Sequence, residues 1–533
     1  MKKTNYKSKV PYFKFSDQID IQINELKNNK LLNRMKKCRT SLNNDLYRPI
    51  FHYVNPEGNL NDPNGLCYWK DRWHLFYQAF PPEDPRLHWG HAVSDDLIHW
   101  EDLPYAIYPN PEQGCWSGST LVDNNKVIAM YHGNKLGNMI AISDDPLLLN
   151  WIKLKDNPVI PIPKDIEQSE YTVFDPCIWK KDGFYYSLSA GSQSTQPSGK
   201  FFAADYLFRS KNLHDWEYLH QFIENDRYTL NGDDGACPYF WPIGNKHMLL
   251  FYSHMSGGQY LIGDYDKKED KFFPTQHGLA NFGASTPCGV HAPSACPDGR
   301  GSINIIFNMN PGKPTNGWNQ IMTLPRKLTL DNKNKILIAP LDDIVSLRKN
   351  HIKINKTKLK ANNEYAFDKI HSNTIEMILK IDLLNSSMID INVLRSRSKK
   401  EFTRISFYKK MGFNDRFRKN YKNFNVASPP LVGKNTMKFD SIISIDSSFS
   451  SSLPDVKLRP PETAPVYLSD EEILELRIFI DRSVVEVFVS NKQALALRVY
   501  PGFDDSKGLS IISHGNDSNL LSLDAWEMDN IYE

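Results

Sequence analysis

Between residues 61 and 119 the sequence gathers the residue types that handle a sugar. Asn61-Asp62-Pro63-Asn64-Gly65 stands immediately before a β-prone run, Leu66–Trp69. Phe76-Tyr77-Gln78 follows, then HWGHAVSDDLIHWEDLPYAIYP from His88 to Pro109, then Cys115-Trp116-Ser117-Gly118-Ser119. Trp and Tyr faces cover the apolar side of a pyranose or furanose, while amides, hydroxyls and carboxylates bond its hydroxyl groups. Each residue alone has a plainer reading. Asp-Pro-Asn-Gly is a good turn sequence, with Pro fixing φ, Gly tolerating positive φ and Asp bonding its own backbone. It is the cluster that points to carbohydrate.

Further candidates lie downstream. Asp175 precedes Pro176 at the start of a β-prone run, and Asp233-Asp234-Gly235 leads into ACPYFWP. His254 and His291 each follow a β-prone run and could line a funnel or donate a proton, although a lone histidine is more often structural. The cysteines, at 38, 67, 115, 177, 237, 288 and 296, are an odd seven with no CxxC pair and no His at zinc spacing. Neither a disulfide framework nor a structural metal is expected.

The elements that must hold these residues are mostly strands. From about Tyr47 to Leu341 short β-prone runs alternate with Gly, Pro, Asn and Asp, which indicates an all-β sandwich, barrel or propeller. WKDRWHLFYQ, WKKDGFYYSLS and IGNKHMLLFYSH share one form, a polar turn and then an aromatic-rich strand, and suggest radially repeated sheets too degenerate to count. After Leu341 the chain becomes Lys/Asn-rich and then alternates through Leu474–Val489 and Ala494–Val499, which reads as a second all-β domain, a sandwich. Apolar residues from Ile19 to Met35 predict a short N-terminal helix capped by Ser16 or Asp17. The domains expected are residues 1–46, a basic and partly helical extension, then 47–341 and 342–533.

With 533 residues, 40% hydrophobic and 24% charged, the chain is long enough for more than one packed core, and general disorder is excluded. A net charge of +2 gives no overall field for nucleic acid or an anionic membrane. Residues 1–50 hold twelve Lys/Arg against four Asp/Glu, read as a solvated, partly frayed arm. No stretch is long and apolar enough for a signal-peptide core or a membrane span, so a cytoplasmic location is expected.

The order NDPNG, FYQ, WGHAVSDDLIHWE, CWSGS and a later Asp-Pro resembles glycoside hydrolase family 32, the invertases, fructanases and related β-fructosidases. LELRIFIDRSVVEVFVSNKQALALRVYP, Leu474 to Pro501, is similar to a segment of that family's C-terminal domain, so the likeness spans roughly Tyr47 to Tyr532. It implies a five-bladed β-propeller with an axial active site, followed by a β-sandwich. It also implies a retaining hydrolase that removes terminal β-D-fructofuranosyl residues from sucrose-like fructosides or fructans, with Asp62 as nucleophile and Asp175 as transition-state stabiliser. Asn61, Gln78, Trp89 and Ser119 would bind the fructosyl unit, and Trp116 would be wall or core. No cofactor is expected, the substrate is the only partner implied, and oligomeric state is left open.

Two positions depart from the family. Phe174 stands where the family has Arg before Asp-Pro, and Ala236 stands where its acid/base Glu precedes Cys-Pro. Asp234, two residues earlier, would face the same side as Ala236 on an extended strand and is the substitute acid favoured here. Asp233 would serve only if the flanking glycines twist the strand into a bulge. Two other readings stand beside the fructosidase: a sugar-binding or sensor protein that has lost catalysis, and a propeller glycosidase of different sugar specificity.

Overall fold

The computed structural model describes residues 7–165, 168–195, 200–412, 441–469 and 472–532. Among the described residues, 59–340 contain the five antiparallel sheets of a five-bladed β-propeller and a separate two-stranded one, Ser192–Thr195 with Lys200–Ala203. The first blade is Asn59–Trp69, Arg72–Phe80, His88–Ser94 and Glu101–Ile107, and the second opens with Cys115–Asp123, Lys126–Gly133 and Gly137–Ser143. The third contains Pro176–Lys181, Phe184–Ser189, Tyr206–Ser210 and Trp216–Gln221; the fourth Ala236–Ile243, Lys246–Ser253, Gly257–Asp266 and Lys271–Leu279. The fifth is built on Val290–Pro297, Ile303–Met309, Arg326–Leu330 and Ile336–Pro340.

The three repeated sequences occupy one position in three blades, the hairpin between the innermost strand and the second. Its turn demands positive φ, met by Lys70 and Asp71 (44° and 65°) in the first blade and by Asp182 and Gly183 (50° and 80°) in the third. Such turns match the right-handed twist of the strands they join. The aromatic arms that follow fill the seams between blades: Phe76, Trp89, Tyr131 and Trp151 in one cluster, Trp179, Tyr186, Phe222, Phe240 and Phe272 in another.

Hydrogen bonds link each innermost strand to the next all the way round. The Thr120 hydroxyl donates to Gly65 O at 2.8 Å, Ile178 N to Ser119 Oγ at 2.9 Å, and Phe240 N to the Cys177 sulfur at 3.4 Å. Tyr239 Oη meets Ser294 Oγ at 2.9 Å, and Leu66 N donates to that same serine oxygen at 3.0 Å, returning to the first blade.

The N-terminal extension differs from the solvated arm expected. The predicted helix is two, α1 (Ile19–Lys27) and α2 (Lys30–Ser41), because Asn29 breaks the run and caps α2 by accepting from Leu31 N and Leu32 N. Neither Ser16 nor Asp17 is the cap of α1, whose preceding residue is Gln18. The lysines described there are exposed, but two arginines turn inward: Arg39 forks onto Asp102 at 2.5 and 2.6 Å, and Arg34 reaches Glu57 and Glu83. Phe15 is buried with Val93, Leu103, Leu147 and Leu149.

Val345–Asp529 form a second compact unit, a β-sandwich whose two antiparallel sheets have seven and six strands among the described residues. Leu474–Asp481, Val484–Val489 and Gln493–Arg498 are consecutive strands of the larger sheet. Val484–Val489 is buried at every position, not at alternate ones. Residues 530–532 belong with the first unit.

Candidate active site

Four of the five innermost strands are bulged near their starts, and Asp62, Ser117, Cys237 and His291 sit at those bulges, with Asp175 just ahead of the remaining strand. Pairing slips between Leu60 and Pro63 in the first blade, Cys115 and Gly118 in the second, Ala236 and Tyr239 in the fourth, and Val290 and Pro293 in the fifth. A bulge breaks the strict in-out alternation, so neighbouring residues can address one side of a strand. Asp62-Pro63-Asn64-Gly65 is therefore no turn. It lies inside an eleven-residue strand whose irregularity its turn-forming residues supply. Gly65 has φ +51°, and a Cβ there would lie 2.6 Å from Thr120 Cγ2.

Asp62 is buried and held from several sides. Its Oδ2 accepts from the Ser117 hydroxyl at 2.8 Å and from Gln78 Nε2 at 3.1 Å, while Oδ1 faces His291 Nδ1 at 3.1 Å. Burial opposes ionisation, but the His291 imidazole and the Ser117 hydroxyl outweigh it and hold the carboxyl below its usual range. Gln78, on the neighbouring strand opposite the bulge, also accepts from Asn61 Nδ2 at 2.9 Å. Asn61 Oδ1 in turn accepts from Gln320 Nε2 and Asn308 Nδ2, so the amides form a continuous polar rim.

Asp175 is buried just ahead of the third innermost strand. Its Oδ2 accepts from Cys237 N at 3.0 Å, and Oδ1 has no hydrogen-bond partner. Burial, with the nearby charge of Asp62 adding to it and the Cys237 N–H opposing it, pushes the carboxyl up to about 7. Cys237 takes φ +50° at the fourth-blade bulge. That conformation puts its sulfur 3.5 Å from Asp175 Oδ2 and 3.8 Å from Asp62 Oδ2, bridging the two carboxyl groups.

The two departures from the family pattern lie in one patch. Phe174 packs against the cluster of Ala236, Cys237, Tyr252 and Ala292. Its ring meets Trp116 edge-on at 5.8 Å and His132 at 5.1 Å. Burial holds His132 down at about 4, so that imidazole stays neutral. This side of the site is an apolar, aromatic wall.

The structure brings Asp62, Asp175, Asn61 and Gln78 together and places Trp89, Ser119 and Asp233 elsewhere. Trp89 is fully buried among Phe76 and Tyr131 and donates from Nε1 to Trp116 O, which sets it behind Trp116. Ser119 binds Ile178 N between blades, and Ser117 is the serine on the nucleophile candidate, because the bulge resets which residue points inward. Asp233 is buried away from the carboxyl pair, accepting from Leu230 N at 2.6 Å, Gln259 Nε2 at 3.3 Å and the Ser256 hydroxyl. Asp234 lies at the rim, bonded through Oδ2 to His254 Nδ1 at 2.6 Å. Sequence reasoning missed Ser117, Cys237 and the role of His291. CWSGS and ACPY were both legible, but nothing in them announces a bulge. Among the described residues no His, Cys, Asp and Glu group has metal-holding geometry, and no helix is long and apolar enough to cross a membrane.

The profile of the Glycosyl hydrolases family 32 N-terminal domain matches residues 52–340, and that of the Glycosyl hydrolases family 32 C terminal matches 343–527. Sucrose-6-phosphate hydrolase of Zymomonas mobilis is 27% identical, over 89% of this chain and 91% of its own. Fructan 6-exohydrolase of Beta vulgaris is 28% identical, over 91% and 87%. The crystal structure of fructan 1-exohydrolase IIa from Cichorium intybus superposes with a TM-score of 0.77 at 20% identity, covering 92% of this chain and 98% of that one.

Proposed function

We propose that this chain, which belongs to glycosyl hydrolases family 32, removes terminal β-D-fructofuranosyl residues from sucrose-like β-fructosides or fructans with retention of configuration. Asp62 attacks the anomeric carbon and forms a covalent fructosyl-enzyme, which water then resolves. Asp175 bonds ring hydroxyls and stabilises the oxocarbenium-like transition state, and Asn61 and Gln78 hold the remaining hydroxyls. Residues 47–341 are the catalytic domain in this reading, 1–46 its extension and 342–533 a sandwich domain. Seven cysteines, none in a disulfide, support a reducing, cytoplasmic setting.

The observation that carries the reading is the placement of the carboxyl pair. Asp62, buried at the bulge of the first innermost strand, is held by Ser117, Gln78 and His291 and kept ionised as a nucleophile must be, and Asp175 meets the same Cys237 sulfur beside it. A second carboxyl at that place can stabilise positive charge developing on the sugar when it is ionised.

The test is fructose release from sucrose, sucrose 6-phosphate, an inulin oligosaccharide and a levan oligosaccharide, followed by chromatography. Release that falls by about 10⁴-fold or more in Asp62→Ala is expected. Sugar binding by a folded protein without release from any of the four would instead make it a binding protein.

A further inference from the structure

The fructosidase reading leaves the proton of the leaving group without a donor, because Ala236 is buried and packed against Tyr252 and Ala292. The place where a donor is available is the turn after Lys246–Ser253, the second strand of the same blade. His254 sits there with two contacts to one carboxylate. Its backbone N donates to Asp234 Oδ1 at 3.2 Å, and Nδ1 lies 2.6 Å from Asp234 Oδ2. That grip fixes both the ring and its tautomer, with Nδ1–H on the carboxylate side, and leaves Nε2 as the exchanging nitrogen. Of the His254 side chain, 59% remains exposed, so a leaving group and water can both reach it.

The ring is also on the right side of the molecule. It lies 5.4 Å from the Tyr252 ring and 6.3 Å from the His291 ring, and His291 touches Asp62. We propose that His254, oriented by Asp234, is the general acid and base of this site, in place of a carboxylic acid. The inference rests on the fructosidase reading above. It makes Asp234 a positioning residue and not the acid itself.

The chemistry balances. As the Asp62 carboxylate bonds to the anomeric carbon, the bond from that carbon to the leaving oxygen breaks, and the Nε2 proton of His254 passes to that oxygen. An alcohol departs and His254 is neutral. Water then attacks the anomeric carbon and gives a proton to Nε2, while the carbon–oxygen bond to Asp62 breaks and restores the starting charges. The groups facing His254 favour its charged form: Asp234 first, then Asp175 and Asp62 across the site, against the opposing effect of burial, so its pKa is raised. His291 and the Tyr252 phenol are the other titratable neighbours, and burial raises the phenol to about 12. Only His254 among these combines a free ring nitrogen, exposure and a carboxylate anchor.

The experiment compares His254→Ala, His254→Gln and Asp234→Asn with wild type on two substrates, sucrose and 4-nitrophenyl β-D-fructofuranoside, whose nitrophenolate leaves without a proton. Loss of a general acid costs roughly 10²–10⁴-fold. Both His254 variants are expected to lose about that much kcat/KM on sucrose and less than tenfold on the nitrophenyl fructoside. Asp234→Asn is expected to move the alkaline limb of the sucrose kcat/KM profile to lower pH, which a merely structural residue would not do. Equal losses on both substrates, or sucrose cleavage retained in the His254 variants, overturn the proposal. So does a wild type that cleaves only the nitrophenyl fructoside, since it would have no acid. If wild type cleaves neither, or Asp62→Ala cleaves both, the fructosidase reading itself fails.

Discussion

Asp62 and Asp175 share the Cys237 sulfur and differ in everything else that sets their protonation. Asp62 has a histidine, a hydroxyl and an amide, whereas Asp175 has one backbone N–H and a phenylalanine where a cation would stand. With Asp175 near 7, kcat/KM should fall as the pH drops through neutrality, because the protonated carboxyl stabilises positive charge poorly. Phe174→Arg should push Asp175 down and move that acidic limb lower by about one unit or more, read from the pH profile of fructose release. A second buried carboxyl, Asp205, has an unpartnered Oδ1 and is likewise raised by burial to about 7. It stays protonated in the fold while the unfolded chain ionises near 4, so its penalty grows as pH rises from about 4 to 7. Asp205→Asn should therefore raise the melting temperature at pH 8 by an amount worth on the order of a few kcal/mol, and leave it nearly unchanged at pH 4. Of the site residues, Asp62 and Asp175 were legible because short contiguous motifs carry them. The preference of each for a charge state was not, since for Asp62 it arises from His291 and Ser117 and for Asp175 from burial beside Asp62, all of it set by residues remote in sequence.

At the scale of the strand, one bulge decides which serine does what. Ser117 and Ser119 are two residues apart and would share a face on a regular strand. In the structure one bonds the nucleophile candidate and the other joins two blades. Ser117→Ala should lower kcat/KM roughly tenfold with little change in melting, about the worth of one hydrogen bond to a charged group. Ser119→Ala should leave kcat/KM unchanged and cost about 1–3 kcal/mol, because the buried Ile178 N–H loses its acceptor. Fructose release and thermal melting on the two variants separate the roles. The aromatic hairpin arms were visible in the sequence as a degenerate repeat. The conversion of Asp-Pro-Asn-Gly from turn to bulged strand was not, since the same residue types serve both and only pairing with Arg72–Phe80 decides between them.

For the molecule as a whole, Tyr239 holds a central position in the ring of innermost strands. Its hydroxyl oxygen accepts from Gly65 N at 3.2 Å, donates to Gly118 O at 3.1 Å and meets Ser294 Oγ at 2.9 Å, so one phenol joins the first, second, fourth and fifth blades. Tyr239→Phe should cost about 2–4 kcal/mol, since it strands several buried groups at once, and should lower the melting temperature of the propeller. The family resemblance supplied the blade count, and the sequence's own periodicity did not. The docking of the N-terminal extension was hidden because its cations meet carboxylates far along the chain.

The partners of Arg39 also impose an order on folding during synthesis. Its guanidinium lies 3.9 Å over the Tyr532 ring, and Tyr532 Oη in turn accepts from Val54 N and donates to His52 O. Tyr532 follows the entire second unit in the chain, so a ribosome delivers every residue of the sandwich before the one that seals α2 against the start of the propeller. Until then Arg39, Asp102 and the backbone at His52 form a site lacking its aromatic lid. A nascent chain stalled short of Tyr532 should expose α2 to protease, and one extended past it should not.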